Sequence, residues 1–252
     1  MNSISLYSTA ISGYLRRTGH SRVRPEAALI DMDGTLYDSM VNHTAAWHRL
    51  MTEHGIPCTR EEFYLYEGRT GASTINELFK RELHREATDE EKESLYRLKT
   101  VYFRELPEVE VMPGALEMVS ALRDLGLKRV LVTGSGQSSL INRLDTDFPG
   151  LFSADMRITS RSVEHGKPHP EPFLKAMELA GVTPDRAIVV ENAPLGVEAG
   201  NRSGAFTVGV TTGPIRREAL EEAGADIVFP SMPEFAQNVV PLILAMRQFT
   251  LD

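Results

Sequence analysis

From residue 109 onward, short β-branched runs alternate with amphipathic helical stretches, and this alternation restricts the fold more than any other feature. The runs are "RVLVT" (129–133), "DMRITS" (155–160), "AIVVE" (187–191), "AFTVGV" (205–210) and "DIVF" (226–229). Strands separated by helices form parallel sheets covered on both faces, so the expected fold is a doubly wound α/β sheet. Ligands of such sheets bind beyond the carboxyl ends of the strands. Asp31, Thr133 and Glu191 fall at such ends.

Residues 39–108 break the alternation with several helical patterns and no clear strand. "VNHTAAWHRLMTEHG" closes on Gly55, and "TDEEKESLYRLKTVYFREL" opens with the capping-box pair Thr88 and Glu91. The expected organisation is a core of residues 26–38 and 109–252, interrupted by a helical module at 39–108. Residues 1–25 carry four arginines, many hydroxyls and no acid, resembling a targeting peptide without a convincing cleavage site. They are expected to form a mobile or loosely docked extension.

At 252 residues and a formal net charge of −8, the chain has room for a large core and no basic stripe, which argues against nucleic acid as a partner. The single Cys58 rules out an intrachain disulfide and suits a reducing cytoplasm. No apolar stretch approaches the roughly 20 residues that span a bilayer, so no membrane partner is expected. A monomer is the expected state.

The first strand poses a chemical question. In "ALIDMDGTLYDS" (28–39) an apolar run ends in Asp31 and Asp33, followed at once by Gly34. Carboxylates at a strand end are either solvated turn residues or are held there for a cation or for chemistry. Two weaker signals lie elsewhere. "TGSGQSS" (133–139) suggests a dinucleotide loop, but Ser139 stands where its third glycine belongs. His165 and His169 are four apart, yet Gly166 and Pro168 between them argue for solvated loop histidines.

"DMDGTL", "LVTGS", "GKPHPEPF" and "VVENAPLGVEAG", in this order and spacing, resemble the haloacid dehalogenase superfamily over roughly residues 26–235. The helical insertion resembles the small mobile cap of β-phosphoglucomutase and its phosphatase relatives. The resemblance implies that Asp31 attacks phosphorus to form an aspartyl-phosphate, and that Asp33 acts as acid and then base. Thr133, with the Gly134 and Ser135 backbone, would hold phosphoryl oxygens, and Lys167 would neutralise charge. Magnesium would be held by Asp31, the Asp33 carbonyl, Glu191 and Asn192.

Asn192 departs from the family's usual acid and removes one negative charge. Glu67, the only acid of the cap stretch "YEGRTGAST" (66–74), could restore it or could be a solvated surface group. Here the chain resembles the superfamily's inorganic pyrophosphatases, in which a cap glutamate reaches the metal. That makes pyrophosphate the expected substrate, with Arg69, Lys99 and His43 as further substrate contacts. Gly71 stands where the mutase carries an arginine for a distal phosphate, although Arg69 could substitute for it. Trp47, Phe79, Tyr96, Leu98 and Phe103 are expected to form cap core. The alternatives are a sugar-phosphate phosphatase or hexose-phosphate mutase, and a noncatalytic binding protein.

Overall fold

The computed structural model describes residues 3–136 and 138–249; the side chains of residues 1–6, 138 and 139 lie outside the description, as does Gln137 of the "TGSGQSS" stretch. After helix α1 (Ser3–Thr18) and strand β1 (Ala27–Ile30) come four helices: α2 (Met40–Glu53), α3 (Glu62–Leu65), α4 (Gly71–Leu83) and α5 (Asp89–Arg104). The chain then continues as α6 (Ala115–Asp124), β2 (Lys128–Val132), α7 (Ser138–Asp147), β3 (Arg157–Ile158), α8 (Glu171–Ala180) and β4 (Ala187–Glu191). It finishes with α9 (Pro194–Ser203), β5 (Phe206–Val210), α10 (Arg217–Glu222), β6 (Ile227–Phe229) and α11 (Met232–Gln248).

All strand pairs are parallel, in the order β3-β2-β1-β4-β5-β6. This is the doubly wound sheet expected from the alternation. Side chains of β1 alternate between the two faces, as a pleated strand requires. Ala28 and Ile30 join the cluster beneath α6 and α11, and Ala27 and Leu29 join the cluster beneath α8. The strand order reverses between β1 and its two neighbours, β2 and β4. The crevice at their carboxyl ends therefore receives Asp31, Thr133 and Glu191 together.

Helices α2 to α5 share a separate apolar cluster that includes Leu50, Phe63, Leu78 and Leu95. The capping box at the start of α5 forms: Thr88 Oγ1 accepts from the Glu91 N–H, and the Glu91 carboxylate accepts from the Thr88 N–H.

The N-terminal segment differs from its expectation. Helix α1 is seated on the core, with Tyr7, Ile11, Tyr14 and Leu15 buried at helical spacing. The Tyr14 hydroxyl donates to the Gly204 carbonyl at 3.0 Å, and Arg17 pairs with Asp226 at 2.9 Å. The apolar stripe, which the polar and basic composition obscured, docks the segment instead of leaving it loose.

Candidate active site

β1 delivers Asp31 into the crevice as a nearly dry carboxylate. Its Oδ1 accepts from Lys167 Nζ at 2.5 Å, and its Oδ2 is buried with no partner. Lys167 also lies 2.6 Å from Glu191 Oε1 and donates to the Val132 carbonyl at 3.0 Å. Burial pushes the Asp31 carboxyl well above the usual carboxylate range, and Lys167 only partly offsets that. For Lys167, burial favours the neutral amine, but Asp31 and Glu191 outweigh it and hold the ammonium.

Asp33 faces the other way. Its Oδ1 accepts from Ser39 Oγ at 2.7 Å and lies 2.9 Å from His43 Nε2. His43 Nδ1 lies 2.5 Å from Lys99 Nζ, so a chain of polar groups runs from the cap into the crevice. Burial would raise the Asp33 carboxyl, but His43, Ser39 and Lys99 together pull it below its ordinary value. Burial lowers the Lys99 amine to about 7, and burial with Lys99 nearby lowers His43. This geometry suits a Lys99 N–H donating to Nδ1 and a neutral His43 donating from Nε2 to Asp33.

Beyond β2, Thr133 Oγ1 accepts from the Ser135 N–H at 3.0 Å and tightens the turn that carries Gly134. Glu67 descends from the cap loop and is only 7% exposed, which excludes the solvated reading. Its Oε1 accepts from Asn192 Nδ2 at 2.8 Å, and Asn192 Oδ1 accepts from Thr35 Oγ1 at 3.1 Å. Gly34 makes this meeting possible. It adopts φ +77°, and a Cβ there would lie 2.1 Å from Asn192 Nδ2 and 2.7 Å from Glu67 Oε1.

The residues fit a hard divalent cation. Asp31 Oδ2 is an unpartnered buried oxygen, and burial with Asp31 close by pushes the Glu67 carboxyl well above its ordinary range. Asp31, Glu67, Asn192 and the Asp33 carbonyl are the groups that would hold magnesium. Among the described residues no trio of His, Cys, Asp or Glu forms a ready-made cage, in keeping with a donor set that includes an amide and a carbonyl. Glu191 Oε1 lies 2.6 Å from Lys167 Nζ, and Oε2 accepts from the Asn192 and Ala193 N–H groups at 3.1 and 3.3 Å.

The cavity between core and cap measures about 60 Å³ and is lined by Asp31, Asp33, Glu67, Lys99, Thr133 and aromatic cap residues. Arg69 reaches its edge; its Nη1 donates to Ser73 Oγ and Glu77 Oε2, each at 3.3 Å, and its Nε is buried without a partner. Trp47 and Phe79 belong to the cap's apolar cluster with Tyr96 and Leu98 packed against it, Phe103 is buried in the neighbouring core cluster, and Trp47 and Tyr96 also line the cavity. His165 and His169 sit in an exposed loop, their rings 4.8 Å apart and outside the cavity lining. Sequence reasoning missed Ser39, Thr35 and Tyr96. Thr35 lies inside the "DMDGTL" motif, and Tyr96 shares a helix face with Lys99 at i, i+3.

A doubly wound parallel sheet with paired carboxylates beyond β1, covered by a helical cap, defines the architecture of a capped α/β hydrolase. The chain belongs to the haloacid dehalogenase-like hydrolases, whose family model matches residues 25–204. A Bacteroides vulgatus structure provisionally named a beta-phosphoglucomutase is 45% identical, covering 97% of this chain and 99% of that one, with a TM-score of 0.93. Validoxylamine A 7'-phosphate phosphatase of Streptomyces hygroscopicus subsp. limoneus is 30% identical over 83% of this chain and 95% of its own length. Hexitol phosphatase A of Escherichia coli is 26% identical over 87% and 97%. These names lend no support to the pyrophosphate expectation and point to phosphorylated carbohydrates. Enzymes of this family generally use magnesium. No helix among the described residues is long and apolar enough to cross a membrane.

Proposed function

We propose that the chain hydrolyses inorganic pyrophosphate through an aspartyl-phosphate on Asp31. The observation that carries this reading is Glu67: a cap carboxylate buried against Asn192 over Gly34, beside Asp31. Glu67 lines the cavity beside Asp31 and takes up room there, which favours a compact, carbon-free leaving group over a sugar.

In the first step the Asp31 carboxylate attacks the terminal phosphorus, while Lys167 steadies that carboxylate through Oδ1. The bridging P–O bond breaks and phosphate leaves with the electron pair, assisted by a proton from Asp33 when that group carries one. Thr133 and the Gly134 N–H hold the nonbridging oxygens, and the Ser135 N–H, bonded to Thr133 Oγ1, keeps the turn in shape until substrate arrives. In the second step water attacks the aspartyl-phosphate, Asp33 takes its proton, and Asp31 is released. His43 and Ser39 keep Asp33 pointed at the leaving side throughout. Bound magnesium would supply charge neutralisation between the carboxylates and the phosphoryl oxygens. The lone, half-buried Cys58 is in accord with a reducing cytoplasm.

A second reading, hydrolysis of a small sugar or sugar-alcohol phosphate, is favoured by the names of the relatives. The aromatic cap wall of Trp47, Phe63 and Tyr66 also suits a sugar face. A mutase is less well supported, because Arg69 is tied to Glu77 and no other cap arginine lines the cavity. Steady-state phosphate release with magnesium tests these readings on pyrophosphate, glucose phosphates and hexitol phosphates. The expected result is the highest kcat/KM for pyrophosphate. A preference for a carbohydrate phosphate would establish the second reading, and transfer that requires a bisphosphate primer would establish the mutase.

A further inference from the structure

Helix α5 touches both halves of the machinery, and one of its contacts has no part in the steps above. Tyr96 projects from the cap across the seam, and its hydroxyl accepts from the Gly136 N–H at 2.9 Å. The same hydroxyl meets the Ser135 side chain. Ser135 and Gly136 directly follow Thr133 and Gly134, the turn that faces the phosphoryl group. One helical turn further on, Lys99 engages His43 and through it Asp33.

The seam leaves little slack around this contact. The Tyr96 ring rests on Gly71, where a Cβ would fall 2.1 Å from Cδ2 and 2.3 Å from Cε2. On the core side a Cβ at Gly134 would lie 2.4 Å from the Gly68 carbonyl oxygen, and one at Gly166 would lie 2.8 Å from Thr70 Cγ2. Backbone thus packs directly on backbone, and the phenol is fixed both in its seat on the cap and at its tip on the core.

We propose that Tyr96 is a positioning residue that couples cap closure to the shape of the phosphate-binding turn. With the cap down, its hydroxyl holds Ser135 and Gly136 in place while Lys99, on the same helix face, sets the His43–Asp33 pair. With the cap up, both are released together. Substrate that binds only the closed form sees an affinity reduced by the fraction of enzyme that is open. Loss of the latch therefore acts on KM, because saturating substrate still draws the cap down.

The inference rests on the phosphohydrolase reading but not on the choice of substrate, and the test keeps the two apart. Tyr96→Phe retains the ring and removes the hydroxyl. With whichever substrate the wild type prefers, KM is expected to rise about three- to tenfold, the worth of one hydrogen bond, with kcat kept within about twofold. Trp47 is the only tryptophan, and its ring lies 6.2 Å from that of Tyr96, so its fluorescence reports the seam. Titration with inorganic phosphate plus magnesium, the product on either phosphatase reading, is expected to need higher phosphate by the same factor in the variant. Gly71→Ala, which displaces the ring and keeps the hydroxyl, is expected to shift both readouts in the same direction. Unchanged KM and phosphate midpoint in Tyr96→Phe would overturn the proposal. So would a fall in kcat at constant KM, which would put Tyr96 in the chemical step. If the wild type released phosphate from no substrate, the functional reading would fail, while the phosphate titration would still decide the latch.

Discussion

The site contains two lysines, each only 2% exposed, and they meet opposite fates. Lys167, supplied by the core, stands between Asp31 and Glu191 at 2.5 and 2.6 Å and remains an ammonium. Lys99, supplied by the cap, touches His43 and the faces of Trp47 and Phe103, and its amine falls to about 7. Burial alone disfavours charge in both cases, so the partner decides the protonation state. The core thus offers a fixed positive charge beside Asp31, the proposed nucleophile. The cap offers an adjustable one beside the acid–base group, and only when it is closed.

Removing the proposed nucleophile is expected to have the largest effect. Asp31→Asn should lower kcat by about 10⁴-fold or more in steady-state assays, because no other described carboxylate is held in its place. Next comes the contrast between the lysines. Lys167→Met leaves Asp31 and Glu191 buried without their counter-charge, and chemical denaturation should reveal a loss of about 3–5 kcal/mol. Lys99→Met strands no carboxylate in direct contact and removes an amine whose burial is costly, so it should leave stability unchanged or raise it while reducing activity. Equal destabilisation by the two substitutions would break the comparison.

A smaller effect concerns the cation. Magnesium should raise Tm by binding the folded form among crowded carboxylates, and Glu67→Gln should shrink that rise and increase the magnesium needed for half-maximal activity. An unchanged magnesium titration would remove Glu67 from the ion's surroundings. The smallest expected effect is on pH dependence. Lys99 titrates at about 7 when folded and at 10.5 in its ordinary state. Between those values the unfolded chain binds more protons, so this group makes stability rise with pH across the window and weakens it below about 7. Lys99→Met should flatten that part of the stability–pH curve.

Much of the core was legible in the sequence because local pattern and tertiary role agree there. Buried parallel strands are continuous β-branched runs, and β4 occupies the residues that "AIVVE" marks. The capping box of α5 is a purely local signal and formed as read. Asp31, Thr133 and Lys167 were legible from motif spacing, which places them at strand ends or helix entrances around one crevice. Helix α1 was misread because composition was weighed above the stripe of Tyr7, Ile11, Tyr14 and Leu15. Tyr96 packs against the cap cluster as its helical spacing suggested, but its hydroxyl has a second partner that the spacing does not show. Its contact with Gly136 arises only when two segments 40 residues apart are brought together. The lowered Lys99 amine was hidden for a similar reason: desolvation comes from the whole cap, not from sequence neighbours.

The most direct test of the covalent mechanism is to acid-quench the magnesium-loaded enzyme during turnover of radiolabelled pyrophosphate and map the protein-bound label. Acid-stable label on the peptide containing Asp31, absent in Asp31→Asn, is the expected result. Rapid phosphate production with no labelled enzyme, or label on another residue, would contradict the assignment of Asp31 as nucleophile.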